Sequence, residues 1–141
     1  MFNITIITMS YYISTITHQD FNKTLQQVTK ALETEGFGIL SNIDVKTTLK
    51  EKLNVDFKNY TILGACNPQY AYNALQIEDK IGIMMPCSII ISEQEDGRVE
   101  ISVMDPTTAL NVIENEELQP FANQIKQKLQ RCLTYISNQE E

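Results

Sequence analysis

Residues 81–106 read IGIMMPCSIIISEQEDGRVEISVMDP, and the fold class turns on how this stretch is parsed. At its centre, Asp96-Gly97 is a hairpin signal, because glycine supplies the positive φ that a tight turn between strands demands. Downstream, Val99, Ile101 and Val103 alternate with Arg98, Glu100 and Ser102. That period of two is the mark of an antiparallel strand with one face buried and the other wet. Upstream, Ile81 to Ser92 reads as the partner strand. Pro86 inside it marks an edge or a bulge, since proline has no N–H to give to a ladder. Asp105-Pro106 ends the second strand and opens a helix, aspartate as N-cap and proline at the first helical position, where a missing N–H costs nothing.

The same devices recur towards the N-terminus. Asn67-Pro68 is a second cap-plus-proline pair, opening a helix directly after the apolar strand Tyr60 to Cys66. Asp44 caps a helix on which Val45, Leu49 and Leu53 are spaced by four, after a short strand from Phe37 to Ile43. Before it, Tyr11 to Thr17 is rich in β-branched and aromatic residues and reads as a strand. Thr17-x-x-Asp20 has the form of a capping box for a helix with Phe21, Leu25, Val28 and Leu32 on one face, stopped by Gly36 in the C′ position. Towards the C-terminus, Leu118, Phe121, Ala122, Ile125, Leu129, Leu133 and Ile136 form a long amphipathic stripe. The order βαβαβαββαα predicts an α+β protein, a mainly antiparallel sheet with helices packed on one face.

Composition bounds the rest. The chain has 141 residues, of which 43% are hydrophobic and 21% charged, with nine Gly and Pro together. That describes one globular domain rather than a linker or low-complexity chain. The boundaries read as an N-terminal extension over 1–9, a single domain over 10–136 and a polar tail over 137–141. Met9 is an alternative start, or Met1–Thr8 an edge strand. The net charge of −7 and the lack of any Lys/Arg run oppose nucleic acid and anionic lipid as partners. No apolar run of membrane-spanning length exists, and no basic leader precedes the apolar segment Phe2 to Ile16. Three cysteines, an odd number without secretory context, read as reduced thiols of a cytoplasmic protein.

The candidate site is the junction Gly64-Ala65-Cys66-Asn67-Pro68. It sets a thiol where a strand ends and a helix begins. Free N–H groups and partial positive charge there favour an anion or a thiolate. Cys87, beside Pro86, faces Cys66 if the two strands are neighbours, and a bulge can re-aim a side chain into a site. Cys132 lies on the apolar helix stripe and reads as core. The single histidine, His18, falls in the first turn of a helix and has no companions for a metal site or a catalytic triad. Gly36-Phe37-Gly38 follows a helix and precedes a strand, the reverse of a phosphate loop's context. Asp44 and Asp105 are accounted for as caps. Asp56 is a further candidate acid, Glu93, Glu95 and Asp96 a solvated hairpin tip, and Glu114, Glu116 and Glu117 a helix start. Tyr60, Tyr70 and Tyr72 flank the Cys66 junction. No metal ligand set and no cofactor site is expected.

Glu35-Gly36-Phe37-Gly38-Ile39-Leu40, Ile43-Asp44, Leu63-Gly64-Ala65-Cys66-Asn67-Pro68, Pro86-Cys87 and Asp105-Pro106, in that order, resemble the family called domain of unknown function 302. The resemblance runs from Ser10 to Tyr135 and carries over Gly36, Gly38, Asp44, Gly64, Cys66, Asn67, Pro68, Pro86, Cys87, Asp105 and Pro106. It leaves Met1 to Thr8 outside. It implies a small α+β domain similar to the TATA-binding-protein-like fold class, and a homodimer. It implies no activity, and the fold-class name does not imply DNA binding. Three functions stay open on the residues. The first is a non-catalytic module holding a small or anionic ligand at Cys66, Asn67, Pro68, Pro86 and Cys87. The second is a thiol-based redox protein or enzyme using Cys66 with Cys87, and the third a protein-interaction domain without a small-molecule site.

Overall fold

The structure, a computed structural model, describes residues 6–8 and 11–139. Six strands form one sheet in the order β1-β2-β6-β5-β4-β3, every neighbouring pair antiparallel. They are β1 (Ile7–Thr8), β2 (Tyr12–Thr17), β3 (Gly38–Asp44), β4 (Tyr60–Cys66), β5 (Cys87–Glu93) and β6 (Val99–Met104). The helices are α1 (Phe21–Thr34), α2 (Val45–Leu53), α3 (Pro68–Ile77), α4 (Pro106–Asn111) and α5 (Gln119–Ser137). With β1 set aside, the order is the expected βαβαβαββαα. Ile7–Thr8 lies on the outer edge of β2, so this part of the N-terminal segment is an edge strand. Residues 1–5, and Met9, lie outside the described residues.

Register explains the core. Ile13 pairs with Val103, Thr15 with Ile101 and Thr17 with Val99, while Ile89 and Ile91 pair with Val103 and Ile101 from the other side. Directly opposed residues share a face, so these side chains form one apolar surface. Leu63 and Ala65 extend it across β4. Val28 and Leu32 of α1 and Leu129, Leu133 and Ile136 of α5 are buried in the same cluster. Val99, Ile101 and Val103 are all buried, as their alternation requires. A second cluster joins Ala74, Ile81, Leu110, Leu118 and Ala122. The Asp96-Gly97 hairpin forms, closed by the Gln94 N–H donating to the Arg98 carbonyl at 2.7 Å.

Several elements depart from the sequence reading. Ile81 is not in a strand: Asp79–Met84 is a 3₁₀ turn, and the strand begins only at Cys87. Ile81 is 2% exposed while Ile83 is 83% exposed, so this apolar run is a helical turn with one buried side chain rather than a strand; short apolar runs look alike in both. Pro86 lies just before β5, after a cis Met85–Pro86 bond, and β5 is a central strand rather than an edge. The cap of α1 is Asp20, whose carboxylate accepts from the Lys23 N–H at 2.7 Å, whereas Thr17 stays in β2 and accepts from the Gln19 N–H. His18 therefore precedes α1 instead of lying in its first turn. α2 forms with Asp44 as its cap, yet buries no residue, and Leu53 is 66% exposed. Leu118 belongs to a 3₁₀ turn, Glu116–Leu118, ahead of α5.

Candidate functional site

Gly36 stops α1 with φ +87°. Its N–H donates to the Glu33 carbonyl and the next N–H, of Phe37, to the Leu32 carbonyl. This pair of bonds is the Schellman closure that only a left-handed residue permits. A Cβ on Gly36 would sit 3.0 Å from the Nδ2 of Asn67. The glycine thus leaves room for Asn67, whose Nδ2 donates to the Glu35 carbonyl at 3.3 Å. Asn67 occupies the N-cap position of α3 with Pro68 at the first helical position, but its side chain makes no cap bond. It reaches across to the end of α1 instead.

Gly64 answers a second close approach. A Cβ there would lie 2.8 Å from the Pro86 ring and would also strike the Ser41 hydroxyl. Pro86 therefore packs on β4 at the position where β4 has no side chain. One residue further along, Cys87 pairs with Ala65, and Gly38 pairs with Cys66 on the other side. Asp105, buried, caps α4 by accepting from the Thr107 N–H at 3.0 Å and from its hydroxyl at 2.6 Å. It also forms an ion pair with Lys126 of α5 at 2.9 Å. Glu35 takes a two-pronged bond from Arg131 of α5, with Lys128 at 3.9 Å. These two ion pairs tie α5 to α4 and to the end of α1.

The sequence pieces converge on one cavity of about 370 Å³, between the main core and the second cluster. Phe37, Ala65, Cys66 and Asn67 wall one side, and Pro86, Cys87 and Pro106 come from the later pieces. Of the five expected site residues, Cys66, Asn67, Pro86 and Cys87 line it, whereas Pro68 does not. Cys66 and Cys87 sit on neighbouring strands, but the register opposes Cys87 to Ala65 rather than to Cys66. All three thiols are free. Met84, Met85, Met104, Tyr70, Phe121 and Ile125 complete much of the wall, and sequence reasoning had left the methionines out. The run Met84-Met85-Pro86-Cys87 was the available signal: three sulfur-bearing residues within four positions.

No lining residue carries a formal charge. Lys128, which is not a lining residue, has its Nζ 5.9 Å from the Tyr70 ring centre, a cation–π spacing. Tyr70 meets Phe121 edge-on at 6.3 Å. The helix end would lower the Cys66 pKa, and burial pushes this thiol up. Burial, and then the charge of a Cys66 thiolate, pushes Cys87 up to about 11. A dipole at an open helix end favours thiolate, whereas the loss of water next to an apolar cavity favours the neutral thiol. Cys132 is core, as expected: buried on α5, its thiol donates to the Ala31 carbonyl and burial takes it to about 12. Among the described residues no group of three or more His, Cys, Asp or Glu is placed to hold a metal. Tyr72 is exposed, and Tyr60 stands at the start of β4 beside Phe57.

A fold of this kind, an antiparallel sheet with α1 and α5 on one face and a cavity at the ends of β4 and β5, is the class to which the comparisons point. The profile of the family described as "Domain of unknown function DUF302" matches residues 12–136, and the chain belongs to that family. It is also similar to a solved structure, the uncharacterized conserved protein DUF302 from Bacillus stearothermophilus. The two are 28% identical, with a TM-score of 0.82 over 87% of this chain and 95% of that one. No curated protein matches. Among the described residues no helix is long and apolar enough to cross a membrane.

Proposed function

We propose that the chain is a non-catalytic, homodimeric module of the cytoplasm that holds a small, mainly apolar molecule in the cavity at Cys66, Asn67, Pro86 and Cys87. One observation carries the reading. Sequence pieces far apart in the chain meet around a single apolar space whose volume lies within the roughly 300–1,000 Å³ of small-molecule sites. The absence of a charged wall residue favours an apolar ligand over an anionic one, because a desolvated anion needs a compensating partner. It also weighs against the thiol enzyme. Such a nucleophile needs a nearby base or a depressed pKa, and the lining offers no base while burial pushes both thiols upward.

The test is a thermal-shift comparison of decanol and decanoate at matched free concentration. A ligand that binds only the native state raises stability by about 2.7 kcal/mol at a hundred times its Kd. Decanol should raise the midpoint more than decanoate, and Ala109→Phe, which pushes a ring into the cavity from α4, should abolish the shift. Equal shifts in Ala109→Phe and wild type would place binding elsewhere. A larger shift with decanoate would restore the anion reading.

A further inference from the structure

Three methionines fall within the described residues, Met84, Met85 and Met104, and all three line this cavity. Three rings line it too, those of Phe37, Tyr70 and Phe121. Tyr70 and Phe121 meet with their ring planes at 82° and their centres 6.3 Å apart. A flat ring stacked on either one is therefore edge-on to the other. Offset stacking and edge-to-face contact are the two arrangements that aromatic pairs prefer. The methionines complement this corner. A thioether is polarisable, rests favourably about 5 Å from a ring, often at its edge, and rides on an unbranched chain that adapts to what it touches. Met84 and Met104 are 38% and 41% exposed, whereas Phe37 is 2% exposed, so these two methionines stand towards the open side of the cavity and Phe37 towards its floor. The volume of about 370 Å³ is more than twice the roughly 150 Å³ at which an apolar protein cavity takes up benzene. One ring would leave the space part-empty, and two fused rings fill it better.

We propose that the molecule held in this cavity is a flat, neutral one of two fused aromatic rings, stacked in the Tyr70–Phe121 corner and edged by the thioethers of Met84, Met85 and Met104. The inference rests on the apolar-ligand reading and adds to it the class of the ligand. Water alone does not select such a molecule. A saturated bicycle of the same skeleton carries more apolar surface, and the gain on leaving water rises with apolar area. Selection for the aromatic form therefore comes from the wall, through ring quadrupoles and sulfur polarisability that a saturated surface does not engage. A neutral ligand suits a lining without any formal charge, since an ion desolvated there would go uncompensated. Fused rings also have no internal rotation to lose on binding, which keeps the cost of ordering small.

The full chain is titrated calorimetrically with three neutral alcohols: naphthylmethanol, its fully hydrogenated decalin counterpart and decanol. Naphthylmethanol should bind at least ~5-fold more tightly than its saturated counterpart, the scale of a few ring and sulfur contacts. Replacing all three methionines by leucine conserves volume and keeps the wall apolar. That variant should bring the ratio below ~2-fold by removing the sulfur contacts, and should leave the affinity for decanol within ~2-fold. Far-UV circular dichroism checks folding. Met104→Leu alone, at the most exposed of the three positions, keeps the test usable if the triple variant unfolds, and should lower the ratio in the same direction. Equal or tighter binding of the saturated alcohol to wild type, or an undiminished ratio in the folded variant, overturns the proposal. Decanol separates the two readings. Decanol bound without any preference for naphthylmethanol over its saturated counterpart sinks the ring selection and leaves the apolar-ligand reading standing. No binding of any of the three alcohols sinks both.

Discussion

At the scale of single residues, the thiols give the sharpest contrast. Only the thiolate reacts at useful speed, and burial keeps all three cysteines protonated at neutral pH to different degrees. Cys66 is pushed up least, Cys87 reaches about 11 and Cys132 about 12. Brief alkylation at pH 7 followed by mass spectrometry should therefore label Cys66 first, Cys87 next and Cys132 only on unfolding. Labelling of Cys87 or Cys132 ahead of Cys66 would make Cys66 a packing residue. The roles of the two junction glycines are equally local. Gly36 supplies a left-handed turn under the Asn67 side chain, and Gly64 supplies the gap that Pro86 fills. A sequence can show that a glycine is present, but the side chain that needs its missing Cβ lies dozens of positions away.

At the scale of elements, α5 is the chief support. Leu129 is fully buried at its centre against the sheet, so Leu129→Ala should cost about 2–5 kcal/mol, the range for emptying such a position. A denaturation midpoint shift worth under ~1 kcal/mol would mean that the stripe is not core. The ion pairs of α5 also predict an acid transition. The Arg131 bond first, and then the Arg131 and Lys128 charges, hold the Glu35 carboxyl below its usual range against burial. For Asp105, burial acts upward, and the combined bonds from Thr107 and Lys126 overcome it, leaving that carboxyl lowered too. A carboxyl lowered in the folded state binds fewer protons than it does in the unfolded chain, so stability rises with pH through that window. The contribution is complete above the unfolded values of about 4 and is lost as pH falls through the folded ones. Thermal midpoints should be flat from pH 7 to 6 and fall below about pH 4. Glu35→Gln and Asp105→Asn should lower the neutral midpoint and flatten that fall; an unchanged slope in both would remove the link. The helices and strands with clean periodicity, α1, α5, β4 and β6, were legible in the sequence because one face of each meets the core. The 3₁₀ turn at Asp79–Met84 was not, since only Ile81 of its apolar side chains enters the second cluster while Ile83 is exposed, which leaves no period to read. α2 was legible as a helix through its cap, but its spacing of four overstated its burial.

At the scale of the whole molecule, the cavity was half legible. Cys66, Asn67, Pro86 and Cys87 stood out as irregular junctions, whereas Phe121 and Ile125 passed as ordinary members of a helix stripe. Only tertiary packing turns that part of α5 towards β4 and β5. The proposed dimer belongs to this scale. Leu40, Leu53, Val55 and Phe57 are exposed on the β3 and α2 side, and apolar surface of that kind marks association sites. Light scattering at micromolar concentration should give twice the 16.1 kDa of one chain; a mass of a single chain would leave that surface without a partner.

The pairing of β2 with β6 sets an order of events during synthesis. β3, β4 and β5 each pair with the next strand along the chain, so this part of the sheet can assemble as it leaves the ribosome. Tyr12–Thr17, made before them, has its inner partner in Val99–Met104 and must wait until most of the chain has emerged. α1 waits with it, because the apolar face of this helix is sealed by α5. Chains emerge N-terminus first and unpaired strands invite wrong partners. The nascent chain thus carries an unpaired strand until β6 is made and an unsealed helix until α5 is made, and the cavity, which needs Phe121 and Ile125 for its wall, forms after both.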